Sequence, residues 1–336
     1  YKGEWNGTMG QNTFVEARAG QFGYNFGLDS NTQATRYESL TSNEILGGGR
    51  DWELRRRRNQ LTGAASYFKD NFAGGSHNFK VGGEYMDEKG QTLWNAYYAD
   101  NVIHFVNGSL QGPLSGTTAA AVRLTNNSDS WSALATTSAF ITDTWSIDKL
   151  TLNLGLRFDR YRVYTPEQQL AAGRFVPTPL SFAAVDEIVG FNHIVPRLGA
   201  TYDVMGDGKT VLKANWGRFY FNPGIALADA VNPNTGSQYA DYVWNDLNND
   251  RVYQPGEEGV LQTRFGGVAN ASVDPNLRNS YTDEASFFVE RAIVTDLGIR
   301  AGFVWKKMHP LMRGLGHTLF TPTQTGLGDR LHLASR

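Results

Sequence analysis

Apolar and polar residues alternate along several short stretches of the chain, and the clearest stretch begins at Leu150. One set of alternate positions is apolar, namely Leu150, Leu152, Leu154, Leu156 and Phe158. The intervening positions are small or polar, namely Thr151, Asn153, Gly155, Arg157 and Asp159. Successive side chains of a β-strand point to opposite faces, so this pattern predicts a strand with one apolar and one polar face.

The same alternation predicts nine strands along the chain. They lie near 13–26, 53–68, 76–85, 135–145, 150–164, 197–203, 212–217, 285–291 and 297–305. Short turns follow the second, fourth, sixth and eighth strands, and Met205–Lys209, with two glycines, is a strong hairpin signal. Long connections follow the first, third, fifth and seventh strands, and the longest runs from 222 to 280.

This rhythm of connections decides the predicted fold class. In an up-and-down sheet every second connection emerges on the same side, so one rim carries the turns and the other carries the long loops. Outer-membrane barrels have this asymmetry, whereas a Greek-key sandwich has no reason to keep it. We therefore predict an all-β protein, an antiparallel up-and-down transmembrane β-barrel with its apolar stripes toward lipid and its polar stripes toward a lumen.

Composition narrows the function classes without changing this picture. The 336 residues carry a net charge of −2, which gives no electrostatic reason to expect a nucleic-acid partner. The mean hydropathy of −0.40 does not argue against a membrane barrel, because about half of each barrel strand is polar. No run of eighteen apolar residues provides a transmembrane helix. Without cysteine, disulfides and thiolate metal sites are excluded.

The sharpest local motif lies in the longest connection. Oxygen ligands fall at positions 1, 3, 5, 7 and 12 of a twelve-residue loop, namely Asp246, Asn248, Asp250, the carbonyl of Val252, and Glu257. This spacing is typical of a calcium loop. Arg251 occupies the position where glycine is usual, and Glu258 is an alternative to Glu257 as the last ligand. The pattern predicts calcium in an extracellular loop without an EF-hand, and an acidic solvated loop is the alternative.

Other charged residues suggest structural roles rather than chemistry. Arg55–Arg58 alternate between faces if they lie in a strand, so a solvated strand end is favoured over pairing with anionic lipopolysaccharide. A mixed-sign set is expected on the lumen face and to pair across strands; it comprises Lys80, Glu84, Arg157, Asp159, Lys213, Glu290 and Arg300. The six histidines are scattered, and no nucleophile elbow, P-loop or dinucleotide fingerprint occurs, so we predict no enzyme activity.

Several stretches resemble TonB-dependent outer-membrane receptors, in particular the Oar-like group that has a carboxypeptidase-regulatory-like N-terminal domain. They are 76–85, 139–159 (AFITDTWSIDKLTLNLGLRFD), 196–220 (PRLGATYDVMGDGKTVLKANWGRFY) and 275–291 (PNLRNSYTDEASFFVER). The resemblance implies a twenty-two-stranded barrel in the outer membrane with a plug inside. It also implies a TonB-type energising complex as a partner acting through the plug, outer-membrane lipid around the wall, and uptake of a ligand such as an oligosaccharide or peptide.

The resemblance also sets the expected domain organisation. Nine or ten strands are fewer than half of such a barrel, and Tyr1–Trp5 lacks the basic head and apolar core of a signal peptide. We therefore expect residues 1–309 to be a partial barrel within a longer protein. Residues 310–336 show no alternation and are expected to be an atypical tail, disordered or not native to the barrel.

Two other functions remain open at this point. One is a passive porin-like or adhesive barrel that needs no energy coupling. The other is a secreted β-rich binding module or glycan-active enzyme, which would require a second layer over the apolar faces. For a transporter, we expect ligand contact in loops 165–191 and 222–280.

Overall fold

The fold is described from a computed structural model, which describes residues 1–108, 110, 117–174, 178–234, 238–265, 271–274, 276–294, 296–309 and 320–322. These residues form a 3-10 turn at Tyr98–Asp100, one helical turn, α1 (Ala226–Asp229), and strands. The strands are β1 (Lys2–Met9), β2 (Thr13–Leu28), β3 (Arg36–Ser39), β4 (Ile45–Leu46), β5 (Trp52–Phe72), β6 (Gly75–Trp94), β7 (Asn101–Val106), β8 (Thr118–Asn126), β9 (Ser128–Ile147), β10 (Leu150–Thr165), β11 (Gln168–Leu170), β12 (Leu180–Phe182), β13 (Val185–Asp203), β14 (Thr210–Tyr220), β15 (Gln238–Trp244), β16 (Glu258–Phe265), β17 (Ala271–Val273), β18 (Tyr281–Val294), β19 (Leu297–His309) and β20 (Phe320–Pro322).

Ten long strands form one antiparallel sheet, in the order β1-β2-β5-β6-β9-β10-β13-β14-β18-β19. Each neighbour in the sheet is also the next long strand along the chain, so the topology is up-and-down. Within the described residues the sheet is open, with β1 and β19 at its two edges. The predicted fold class is confirmed, and β1 is a tenth strand that the alternation did not predict.

Short and long connections alternate as predicted. The turn between β5 and β6 contains Ala73 at φ 49° and Gly74 at φ 84°. Two successive residues with positive φ are typical of the tight hairpin turns whose twist matches that of the strands. The long connections emerge together on the opposite rim, which is the extracellular side of an outer-membrane barrel.

The apolar stripe of β10 lies on an open face of the sheet. Leu154, Leu156 and Phe158 are 40%, 48% and 41% exposed, although they are large apolar side chains. Leu154 pairs with Leu198 of β13, which pairs with Trp216 of β14, so the stripe continues across strands. A contiguous apolar face of this extent is unstable in water and suits the hydrocarbon of a bilayer.

The long connections differ from the predicted loops, because they contain strands of their own. A second, six-stranded sheet has the order β16-β15-β8-β7-β3-β4 and draws its strands from three different connections. Ile103, Phe105 and Val122 are fully buried in its core, where Trp244 and Tyr253 pack with them. We call this unit the extracellular sheet.

The predicted bounds of β13 were too short. The strand predicted at 197–203 is β13, which begins at Val185. The last residues of the predicted loop 166–191 therefore belong to this strand. Pro196 lies inside β13, opposite Leu156. Proline is typical of edge strands, whereas β13 lies between β10 and β14. Among the described residues, none of the helical segments is long and apolar enough to cross a bilayer.

The expected tail lies almost wholly outside the described residues. Only β20, at 320–322, is described there, and it pairs with β17. The division at residue 309 therefore stays a prediction.

Candidate functional site: the lumen wall and barrel mouth

The lumen face of the sheet becomes apolar toward the extracellular rim. Tyr161 and Val163 continue β10 beyond the membrane stripe, and they point to the opposite side from Leu154 and Phe158. Val163 pairs with Leu134 of β9 and Val189 of β13, and all three are buried. An apolar patch inside a barrel needs a cover, and the longest connection provides it.

The segment 222–234, which we call the inward segment, folds onto this patch. It contains α1, and Ile225 and Ala228 pack against Leu134, Tyr161 and Val163. Gly90 on β6 leaves the space for Ile225, because a Cβ atom at Gly90 would clash with Ile225 Cδ1. The side chains at this point therefore fit an inserted loop rather than an open lumen.

Buried polar contacts hold the inward segment in place. Asn232 donates to the carbonyl of Trp131 at 2.8 Å and accepts from Gln168 at 3.0 Å, with both side chains buried. Ser132 Oγ donates to the carboxylate of Asp229. Burial raises the pKa of Asp229, while the Ser132 hydrogen bond and the charge of Arg56 act in the opposite direction.

The predicted lumen charges pair mostly across strands, and the pair of Arg157 and Asp159 lies within β10. Lys80 Nζ lies 2.6 Å from Glu16, and Lys213 Nζ lies 2.7 Å from Glu290. The remaining contacts are Arg157 with Asp159 at 2.7 Å and with Glu84 at 3.6 Å, and Arg300 with Glu290 at 3.4 Å. These residues form a polar wall of paired charges on the lumen face.

An aromatic stripe on the lumen face of β2 was missed by the sequence reasoning. Phe22, Tyr24 and Phe26 are 64%, 45% and 48% exposed, and they occupy alternate positions on the face that carries Arg56 and Arg58. The apolar residues earlier in β2, Val15, Ala17 and Ala19, lie on the opposite face from these rings, so one alternation does not describe the whole strand. The signal for this stripe is a change of the apolar face along β2, from one set of alternate positions in its first half to the other set in its second half.

The arginine run divides between faces as predicted. Arg58 points to the lumen, where it pairs with Glu88 at 2.6 Å, and Arg55 points outward and pairs with Glu53 at 2.7 Å. The run therefore does not form one continuous basic surface.

The five predicted calcium ligands lie together in the loop between β15 and β16, on the extracellular sheet. Asp246 accepts hydrogen bonds from the amides of Asp250 and Arg251 at 3.1 and 3.2 Å. Arg251 has φ 64°, so it adopts the left-handed conformation that glycine usually supplies at this position. The amide of Val252 lowers the pKa of Asp250.

Glu257, the predicted last ligand, points into the protein. It is only 4% exposed and accepts hydrogen bonds from Trp244 Nε1 at 3.0 Å and the amide of Gln254 at 2.9 Å. Glu258 instead accepts a hydrogen bond from the hydroxyl of Tyr253. Within the described ranges, no group of three or more His, Asp or Glu side chains is arranged to hold a metal ion. Calcium binding at Asp246, Asn248, Asp250, Val252 and Glu257 stays a prediction.

Comparison with known proteins agrees with this architecture. TonB-dependent transporter Oar of Myxococcus xanthus is 24% identical over 216 residues, which are 55% of this chain and 19% of that protein. The outer membrane transporter YddB of Escherichia coli shares the fold, with a TM-score of 0.59 and 12% identity over 90% of this chain. This chain spans about a third of YddB and a fifth of Oar.

The family comparison covers nearly the whole chain. The model of the outer membrane beta barrel domain matches residues 3–325, which include the ten strands of the large sheet apart from Lys2. With its lipid-facing stripe and its likeness to TonB-dependent transporters, the chain belongs to the outer membrane beta barrel domain family and resides in the outer membrane.

Proposed function

We propose that this chain forms the wall and the extracellular loops of a ligand-gated transporter that is energised from the inner membrane through a TonB-type complex. The likeness to Oar over more than half of the chain supports this proposal. The single structural observation behind it is the inward segment, which covers the lumen face of the barrel mouth with Ile225 and Ala228. We infer that a segment packed and hydrogen-bonded onto the lumen face at the mouth restricts free passage, as a gated transporter requires.

The ligand would meet two surfaces at this mouth. The first is the set of long connections, in which we expected contact at 165–191 and 222–280. The second is the aromatic stripe of Phe22, Tyr24 and Phe26, with Arg56 on the adjacent strand. Aromatic rings beside guanidinium groups suit an oligosaccharide or a peptide, because both present apolar faces next to polar groups.

Planar-bilayer recording tests the gating part of this proposal. The complete polypeptide that carries these residues is purified from outer membranes and inserted into a lipid bilayer. We expect a closed barrel without steady conductance, and binding of the periplasmic domain of a TonB-type protein in a pull-down. A steady ohmic conductance without an energising partner would instead establish the porin-like alternative.

A deletion connects the test to the structure. Removal of 224–234 from the complete protein should open conductance or raise its frequency, because it uncovers the apolar patch and the lumen beneath. A matched deletion in the exposed turn at 206–208, on the opposite rim, should leave the barrel closed. Equal conductance for both deletions would contradict the role given to the inward segment.

A further inference from the structure

Backbone pairing closes the wall between β13 and β14 over only part of its height. Among the described residues this pairing ends at Arg197 and Gly217, although β13 continues beside β10 and β14 continues beside β18. Arg197 also pairs with Gly155, which lies in the middle of the apolar stripe of β10. The two strands therefore lose their pairing within the height of the membrane. We call the unpaired stretches, 194–196 of β13 and 218–220 of β14, the seam.

The seam explains the proline in the middle of the wall. Pro196 is the first residue of β13 beyond the last pair with β14. Backbone N–H groups without partners are costly within a bilayer, and proline has no N–H group. The seam therefore contains one donor fewer that needs a partner, and side chains close the space above it.

Three side chains connect the strands across the seam, and we call them the clasp: His193, Tyr220 and Asn279. The imidazole of His193 stacks on the ring of Tyr220, with ring centres 3.5 Å apart and planes 7° from parallel. Asn279 directly precedes β18 and is buried; its amide nitrogen donates to the carbonyl of Phe221 at 2.8 Å and lies 3.1 Å from His193 Nε2. The amide of Phe221 donates in turn to the carbonyl of Ser280 at 2.9 Å. The clasp thus takes the place of the missing backbone pairs.

The hydrogen bonds of the clasp require a neutral His193. The carbonyl of Phe221 fixes the orientation of Asn279, because the amide nitrogen, and not the amide oxygen, must face it. The same nitrogen faces His193 Nε2, which therefore accepts a hydrogen bond and carries no proton. A proton on Nε2 would place two donors against each other. If Asn279 turned over to accept that proton, its oxygen would face the carbonyl of Phe221, so either arrangement loses a hydrogen bond.

Few titratable groups face the His193 ring among the described residues. His193 pairs with Asp159, one position beyond the apolar stripe of β10, and its ring also meets Tyr161 of β10 and Tyr220 of β14. Asp159 is itself paired with Arg157 at 2.7 Å. Burial lowers the pKa of His193, and the charge of Asp159 acts in the opposite direction. The neutral ring is therefore the stable form at neutral pH.

We propose that the clasp is an acid-sensitive closure of the wall, which connects β13 to β14 at neutral pH and opens when His193 takes up a proton. The clasp is complete above pH 6.5, the ordinary value for histidine, and is lost as the pH falls through the lowered pKa of His193. Tyr161 and Phe191 contact the His193 ring, and both belong to the apolar patch beneath the inward segment. Opening therefore loosens the barrel mouth in an acid medium. The clasp belongs to the wall, so it does not depend on the proposed energy coupling.

Hydrogen exchange of the complete protein in detergent tests the proposal, at about pH 7.5 and about pH 5 on either side of the histidine range, with correction for the intrinsic pH dependence of exchange. We expect the protection of 191–195 and 218–221 to be about fivefold lower at the lower pH, the effect of one hydrogen bond. In His193→Gln the side-chain carbonyl can accept from Asn279 and does not titrate, so protection should be equal at both pH values. Asn279→Leu removes the donor and should show the low protection at both.

The matched control is His309→Gln, at the other end of the same row of rings. His309 stacks on Tyr281 with ring centres 4.3 Å apart and lies 3.6 Å from Asp283, but it does not contact the seam. This variant should keep the pH response of the unaltered protein. The raised pKa of Asp229 cannot produce the response, because it favours packing of the inward segment at low pH. The proposal fails if protection in the unaltered protein does not depend on pH, if His193→Gln retains the response, or if His309→Gln removes it.

Discussion

The charge of Asp229 opposes the packing of the inward segment against the barrel mouth. Its carboxylate leaves water when the inward segment packs, and this burial raises its pKa above the ordinary value of 3.8. The packed state therefore holds a proton at pH values where the unpacked state has lost it. Packing is favoured at low pH and weakens as the pH rises from 3.8 through the raised pKa.

The variant Asp229→Asn keeps an acceptor for Ser132 and removes the charge. At neutral pH it should increase the hydrogen-exchange protection factors of 225–234, because no charge then has to leave water when the inward segment packs. It should also remove the dependence of protection on pH. Asp250→Asn, in an exposed loop of the extracellular sheet, serves as the control and should change neither quantity. A lower protection in Asp229→Asn would show that the carboxylate stabilises packing.

Glu257 gives the calcium prediction an optical signal. Its carboxylate accepts a hydrogen bond from Trp244 Nε1 at 3.0 Å, so calcium that recruits Glu257 must turn it away from the indole. We expect calcium at millimolar concentration, the affinity range of extracellular calcium modules, to change the tryptophan emission of the complete protein. Trp244→Phe should remove that change.

Asp246→Asn provides the comparison for this titration, because it weakens the first ligand and leaves Glu257 and Trp244 in place. It should shift the response to higher calcium concentrations. An emission spectrum and a melting temperature that do not respond to calcium in the unaltered protein would remove calcium from the account of this loop.

At the scale of one strand, the two faces of β10 should tolerate charge differently. Leu154 is exposed toward lipid, and Asn153, its neighbour, faces the lumen and accepts a hydrogen bond from Thr144. Leu154→Lys should destabilise the barrel by roughly 2–4 kcal/mol, the cost of a lysine near the middle of the bilayer. Asn153→Lys should cost much less. Urea unfolding of the complete protein from lipid vesicles measures both, and equal costs would place Leu154 outside the hydrocarbon.

Strands of the wall were predictable wherever one face is apolar over the full height of the membrane. The stripe from Leu150 to Phe158 is such a case, and it fixed both the strand and its orientation. The prediction for β13 was too short because Gly190 and Pro196 interrupt the alternating pattern. Pairing with β10 nevertheless holds both residues in the strand. β1 was missed because its pattern, from Lys2 to Met9, includes two glycines and few apolar residues.

At the scale of the whole molecule, the extracellular sheet and the barrel mouth were beyond sequence reasoning. The short strands β3, β7 and β15 carry weak patterns, and each finds its partner in another connection. Arg123 and Asp241, for example, are 118 residues apart in the chain. The inward segment was likewise predicted only as a loop. Its few apolar residues form no periodic pattern, and their role becomes visible only where they pack against the lumen patch.

The pair of Arg123 and Asp241 tests whether the extracellular sheet folds as one unit. The guanidinium makes two hydrogen bonds to the carboxylate, at 2.7 and 2.9 Å, and ties β8 to β15. Each single change, Arg123→Glu or Asp241→Arg, should destabilise this sheet by about 1.5–3 kcal/mol, the range for hydrogen bonds to charged groups. The double exchange should recover part of the loss. Recovery would be incomplete, because Arg123 also lies 4.0 Å from the ring centre of Tyr239.

Limited proteolysis of the complete protein measures this effect, since cleavage requires opening of the connections while the membrane wall stays protected. If the sheet is one unit, Arg123→Glu should accelerate cleavage in all three connections, including the one that contains β3 and β4. Lys209→Met, which removes an exposed cation 3.8 Å from Asp207 on the opposite rim, should not accelerate it. Faster cleavage confined to the two connections that carry Arg123 and Asp241 would mean that each connection folds independently, despite the shared core around Phe105 and Trp244.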